Sequence, residues 1–162
     1  MKKGYLSLFL ILVFVLLLTS GTALAKGHED GKYKIGFQAS FPSYGLSGIM
    51  KVNEKFSVQG VAAPFGEVTT FAVRGLYRFR DEPGWNAYGY GSVGMYNYTA
   101  GSIDENTTGF GVGVGIEYDW QSRFSEEAPP LTSNIEIGIG SVDLEYYEYS
   151  SFSFGVGTHY KF

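Results

Sequence analysis

Residues 109–120 read GFGVGVGIEYDW. Counted by twos, they separate into Phe110, Val112, Val114, Ile116, Tyr118 and Trp120 on one side and Gly109, Gly111, Gly113, Gly115, Glu117 and Asp119 on the other. A period of two is that of an extended strand, whose successive side chains point to opposite faces. Alternation alone fits two environments: a soluble barrel with apolar residues turned inward around a ligand, or a membrane barrel with apolar residues turned outward. The glycine face decides between them. Glycine gives a water-facing surface nothing, yet it is useful inside a narrow barrel whose interior only just accommodates side chains. The glycine-and-carboxylate face therefore goes inside, and the bulky face meets lipid.

The same division recurs elsewhere. Residues 152–162 oppose Phe152, Phe154, Val156, Thr158, Tyr160 and Phe162 to Ser153, Gly155, Gly157, His159 and Lys161. Residues 67–80 oppose Phe71, Val73, Gly75, Tyr77 and Phe79 to Thr70, Ala72, Arg74, Leu76 and Arg78. Alternation bounded by turn residues predicts eight strands, at 32–41, 45–52, 55–63, 67–80, 86–99, 107–120, 133–145 and 150–162. The connections are then PSYG, NE, PFGE, DEPGWN, AGSIDENT, QSRFSEEAPPLTS and a tight turn within EYYEYS. All five prolines fall in connections, where a missing N–H costs no ladder hydrogen bond. The expected fold is all-β, a closed antiparallel up-and-down eight-stranded transmembrane β-barrel. A bulge is expected at Ser141–Asp143, where Ile135, Ile137 and Ile139 hand over to Val142 and Leu144.

Composition supports export. The chain opens MKKGYLSLFLILVFVLLLTSGTALA, a charged start, an apolar stretch and an Ala-x-Ala site, so residues 1–25 are expected to be a signal peptide cleaved after Ala25. Residues 26–162 then form one domain. With Lys2 and Lys3 gone, 10 basic side chains face 16 acidic ones, which argues against a nucleic-acid partner. An exported chain with no cysteine has no disulfide framework. The 23 glycines and the 13 tyrosines and 13 phenylalanines must find a geometric use.

Eight strands return the chain to the end where it began, which places both termini in the periplasm. Tyr33, Phe56, Tyr77, Phe79, Tyr88, Tyr118, Trp120, Tyr160 and Phe162 then collect at the periplasmic ends of the strands. Phe41, Tyr44, Phe71, Tyr96, Tyr98, Phe110, Tyr146 and Phe152 collect at the outer ends. Two aromatic girdles around an aliphatic band are expected of a transmembrane barrel.

This pattern resembles the small outer-membrane β-barrels of the OmpA transmembrane-domain and OmpX type. The resemblance implies a Gram-negative outer-membrane location, a lipid and lipopolysaccharide environment, a monomer and no cofactor. It also implies that the last strand, Phe154, Val156, Thr158, Tyr160 and Phe162, is the signal read by the outer-membrane assembly machinery. No wall-binding domain is expected after the barrel. The outer connections are expected to be short, with the longest connection, 121–133, on the periplasmic side.

The inward-facing charges are Lys34, Arg74, Arg78, Glu117, Asp119, Glu136 and Lys161, with Gln38 and Gln59 among them. In a narrow lumen such charges must pair or be solvated, so they are read as a salt-bridge network that plugs the barrel. A gate built from Arg78 with Glu117 or Glu136 is the alternative, and it could pass only a small conductance. The lipid A deacylases use a related scaffold, but neither His28 nor His159 has a serine placed for activation, Ser153 being six residues from His159. No enzyme is expected. Asp104, Glu105, Tyr146, Tyr147 and Tyr149 form a candidate surface rim beside Glu145 and Glu148. These carboxylates could share a divalent cation with lipopolysaccharide phosphates, although no calcium-loop spacing is present. The remaining alternative is a soluble lipocalin-like carrier of an apolar ligand.

Overall fold

The computed structural model describes residues 31–64, 68–100, 103–143 and 151–162. The proposed signal peptide and rim residues Glu145, Tyr146, Tyr147, Glu148 and Tyr149 lie outside the described residues. Eight strands follow one another: β1 (Tyr33–Ser40), β2 (Ser43–Lys51), β3 (Phe56–Ala63), β4 (Val68–Glu82), β5 (Trp85–Ala100), β6 (Ile103–Asp119), β7 (Leu131–Val142) and β8 (Phe152–Lys161). Each pairs antiparallel with its sequence neighbours, and β8 pairs with β1 to close the barrel. Closure satisfies every strand edge, which an open sheet could not do in lipid.

The strands are unequal in length, and the turns explain why. The β1–β2 connection shrinks from the expected four residues to two, Phe41-Pro42, because Ser40 and Ser43 already pair. Pro83-Gly84 likewise suffices between Glu82 and Trp85, with Gly84 at φ 83°, a left-handed value that glycine adopts without steric cost. AGSIDENT is not a loop. Its ladder runs on to the pair Ala100 and Ile103, held by polar cross-strand bonds in place of apolar contacts. Asn97 Nδ2 donates to Asn106 Oδ1 at 2.5 Å and to Asp104 Oδ1 at 3.0 Å, and Thr99 Oγ1 donates to Asn97 Oδ1 at 2.9 Å. The β5–β6 ladder therefore runs six pairs beyond Gly109, the last β6 residue paired with a described residue of β7. In the long connection 120–130, a one-turn helix α1 (Trp120–Arg123) starts where Asp119 Oδ1 accepts from the N–H groups of Gln121 and Ser122.

The outward face is the apolar one. Val112, Val114, Ile116, Ile135, Ile137 and Ile139 are all exposed there, with Met95, Phe110, Phe152 and Phe154 each more than 60% exposed. Phe56, Tyr77, Phe79, Tyr118, Tyr160 and Phe162 cluster at the end where Gly31 and Phe162 meet. Water would penalise such a belt heavily, whereas hydrocarbon accepts it.

Four aromatic residues assigned to the girdles are not in them. Tyr88 and Tyr96 are buried inside the barrel, and Phe41 and Tyr98 pack against the inward cluster of Tyr96 and Val142. The reason lies in the small inward residues across from them. A Cβ at Gly115 would stand 2.6 Å from the Tyr88 ring, one at Gly113 2.6 Å from Tyr90, and one at Gly109 2.8 Å from Tyr96. The tyrosines of β5 thus lie over the glycines of β6, each filling volume the other vacates. Val142 is also inward, so the Ile-to-Val handover is a change of face and no bulge: β6 and β7 keep register from Gly109–Val142 to Asp119–Thr132. The register shift lies between Arg78 and Arg80, where Phe79 is the extra residue and faces outward like Val73 and Tyr77.

Three substitutions check this arrangement. Val114→Arg should cost about 2–4 kcal/mol in urea titrations of vesicle-folded protein if residue 114 meets the bilayer midplane. Gly115→Ala should cost about 1–3 kcal/mol by overpacking against Tyr88. Gly91→Ala, whose new methyl meets nothing within 4 Å, should change stability by less than about 0.5 kcal/mol.

Candidate functional site

The lumen is built in three layers. At the far end from the termini, the Phe41-Pro42 turn folds over the interior. A Cβ on Gly111 would stand 2.7 Å from Pro42, and one on Gly140 would stand 2.9 Å from the Phe41 ring. Those two glycines are what let the turn sit that low, with Tyr96 and Val142 beside it.

The middle layer is charged. Arg74 on β4 donates from Nη2 to Glu136 Oε2 on β7 at 2.7 Å, and neither side chain is exposed at all. Glu136 also accepts from Gln38 Nε2 at 3.2 Å and from the Tyr88 hydroxyl at 2.5 Å. Arg74 Nη1 donates to Gln59 Oε1 at 2.8 Å, and the guanidinium lies 4.1 Å from the centre of the Tyr90 ring. Asn134 bridges the Tyr88 hydroxyl and Gln38 Oε1, both at 3.0 Å. Glu136 faces Gly115 on one side and Gly155 on the other, so the cross-lumen partners have room to reach it. Partnering of this density is what keeps a buried ion pair from being a net cost.

The third layer opens at the end near the termini. Lys34 Nζ donates to Glu117 Oε1 at 2.7 Å, with Asn86 Nδ2 on the same oxygen at 3.1 Å. Lys161 Nζ donates to Asp119 Oδ2 at 2.6 Å. Asp119 thus holds β8 with one carboxylate oxygen and caps α1 with the other. Arg78 does not join Glu117 or Glu136. It turns to Asp81 at 3.2 Å and to the Glu54 carbonyl at 3.4 Å, because the nearby register shift ends the regular wall there.

His159 has a serine neighbour that spacing along its own strand did not reveal. Its Nε2 lies 2.8 Å from Ser47 Oγ on β2, across β1, and Gln59 Nε2 donates to the same hydroxyl at 2.7 Å. The pair is fully buried, and no carboxylate contacts His159 Nδ1 among the described residues. It has neither substrate access nor an orienting acid.

Ser47, Tyr88, Tyr90, Asn86 and Asn134 are the members of the network that reasoning along single strands missed. Their signal was parity: Ser92 sits opposite Arg74, so Tyr88 and Tyr90, an even number of residues away, share Arg74's face. On β8, Phe154, Val156, Thr158, Tyr160 and Phe162 all face outward, with the Tyr160 and Phe162 rings 5.1 Å apart and edge-on. Asp104 lies in the β5–β6 hairpin, accepting from Asn97, and Glu105 sits opposite Tyr98.

An apolar belt outside and a hydrogen-bonded charged interior define the class: a transmembrane β-barrel. The interior offers polar side chains where a lipocalin-like carrier would need an apolar cavity. Among solved structures, the chain is similar to the de novo designed TMB2.3, with a TM-score of 0.47 and 12% identity over 83% of this chain and 97% of the other. It is also similar to Ail, the attachment invasion locus protein of Yersinia pestis, with a TM-score of 0.40 and 14% identity over 80% of this chain and 93% of the other. No family model matches the sequence, and no curated protein matches it significantly.

The Arg74 and Glu136 pair gives a direct stability test. Arg74→Met or Glu136→Gln alone should cost about 3–5 kcal/mol, because each leaves the other group buried without its partner. The double variant should cost clearly less than the sum of the two in a double-mutant cycle on vesicle-folded protein.

Proposed function

We propose that the chain is a monomeric, non-enzymatic protein of the bacterial outer membrane whose lumen is plugged by its own side chains, serving envelope structure or surface interaction. The end carrying Gly31 and Phe162 faces the periplasm, and the β5–β6 hairpin projects outward. The observation that carries this reading is the inversion of faces: an exposed Val, Ile and Phe belt surrounding Arg74 and Glu136, which are wholly buried.

The plug follows from the middle layer. Arg74, Glu136, Gln38, Gln59, Tyr88 and Asn134 bond across the lumen, and eight strands leave little width beyond them. Catalysis is disfavoured because the Ser47 and His159 pair is sealed from both lipid and water. The outward Phe154, Val156, Thr158, Tyr160 and Phe162 stripe suits recognition by the assembly machinery before the barrel closes. Lipid and lipopolysaccharide then surround it, and Asp104 and Glu105 on the projecting hairpin are the described part of the candidate rim.

Two measurements test the proposal. On a detergent gel, membrane-extracted protein should run faster unboiled than boiled, and it should fractionate with the outer membrane. A soluble protein with no heat-dependent shift overturns the reading. In planar bilayers the protein should show no large open channel, whereas Arg74→Ala combined with Glu136→Ala should raise the conductance measurably; large steps from the unaltered protein exclude the plug.

A further inference from the structure

The periplasmic end of the lumen widens into a cavity of about 320 Å³ below the Tyr88 and Asn134 layer. Its cationic residues are Lys32, Lys34, Lys51, Lys55, Arg78 and Lys161, against the carboxylates of Asp81, Glu82, Glu117 and Asp119. Among the described residues, six cations facing four carboxylates leave an excess of two positive charges, in a chain whose formal net charge is −4. The excess runs against the composition of the whole molecule, so it reflects placement.

The four carboxylates are all engaged. Glu117 holds Lys34, Asp119 holds Lys161, Asp81 holds Arg78, and Glu82 holds Arg80 at 3.2 Å. Lys32, Lys51 and Lys55 have no carboxylate within ion-pair distance among the described residues. They are nonetheless gathered on one wall. Lys51 N–H donates to the Lys32 carbonyl at 2.9 Å, which puts these residues side by side at the β1–β2 edge. Lys55 enters from the following turn, where Asn53 Oδ1 accepts its N–H at 2.9 Å. Like charges brought together in a concave mouth with low-dielectric walls repel one another and focus field on whatever anion enters.

We infer that this vestibule binds a phosphate group, with Lys32, Lys51 and Lys55 supplying the charge. A phosphate carries up to two negative charges and several acceptor oxygens, matching both the charge excess and the three ammonium donors. The cavity volume admits a phosphomonoester or a single phospholipid headgroup. The inference rests on the barrel reading above, since that reading places this mouth at the level of the inner-leaflet headgroups.

The test uses the full chain folded in a zwitterionic detergent and titrated calorimetrically with inorganic phosphate and with glycerol 3-phosphate. A parallel arm uses phosphatidylcholine nanodiscs with and without phosphatidylglycerol, with retained lipid counted by native mass spectrometry. Saturable binding of the soluble phosphates, weakened at least tenfold in Lys51→Gln/Lys55→Gln and weakened by salt, supports a soluble phosphomonoester as ligand. Retention of phosphatidylglycerol alone, lost in the same double variant, supports a lipid headgroup. Arg123→Gln, exposed at the same end but outside the cavity, should bind as the unaltered protein does. Absence of binding in both arms, or binding unchanged by the double variant, overturns the site. The heat-dependent gel shift, measured on every sample, separates the two failures: without it the barrel reading falls, and with it only the vestibule site does.

Discussion

The ladder between the last strand and the first is the constraint on which everything else hangs. From Lys34 opposite Lys161 to Ala39 opposite Val156, β1 and β8 exchange backbone hydrogen bonds that would otherwise face hydrocarbon unpaired. Each such group would cost several kcal/mol in lipid. Gly36 makes the seam possible, because a Cβ there would collide with the Thr158 carbonyl and the His159 backbone. With the seam closed, inside and outside become different solvents, and each side chain's parity decides which it meets.

Closure also makes the interior narrow, and the chain answers with complementary volumes. Glycines on β6 and β7 are overlain by tyrosines from β5, and glycines beside Glu136 leave space for groups arriving from β1, β4 and β5. The ion pair of Arg74 and Glu136 spans from β4 to β7, so it ties walls that share no ladder. Such a pair adds little stability by itself, but the cost of breaking it makes the arrangement specific. The same narrowness lets a two-residue turn, Phe41-Pro42, cover the far end. Toward the termini, Lys34 with Glu117 and Lys161 with Asp119 reach from β1 and β8 to β6, and the cavity begins where that cross-bracing ends.

Strand number, closure order and the lipid-facing set of Val112, Val114, Ile116, Ile135, Ile137 and Ile139 were determined by sequence alone. They follow from a local period of two and from which face carries glycine. The inward orientation of Arg74, Glu117 and Glu136 was legible for the same reason. What these groups bond to was decided only by the tertiary structure. Partnership across a lumen depends on the stagger between strands far apart in sequence, and no single strand records it. That is why His159 met Ser47 and why Tyr88 went inward: a tyrosine suits a lipid interface and a polar lumen equally well by composition, and register alone chose between them.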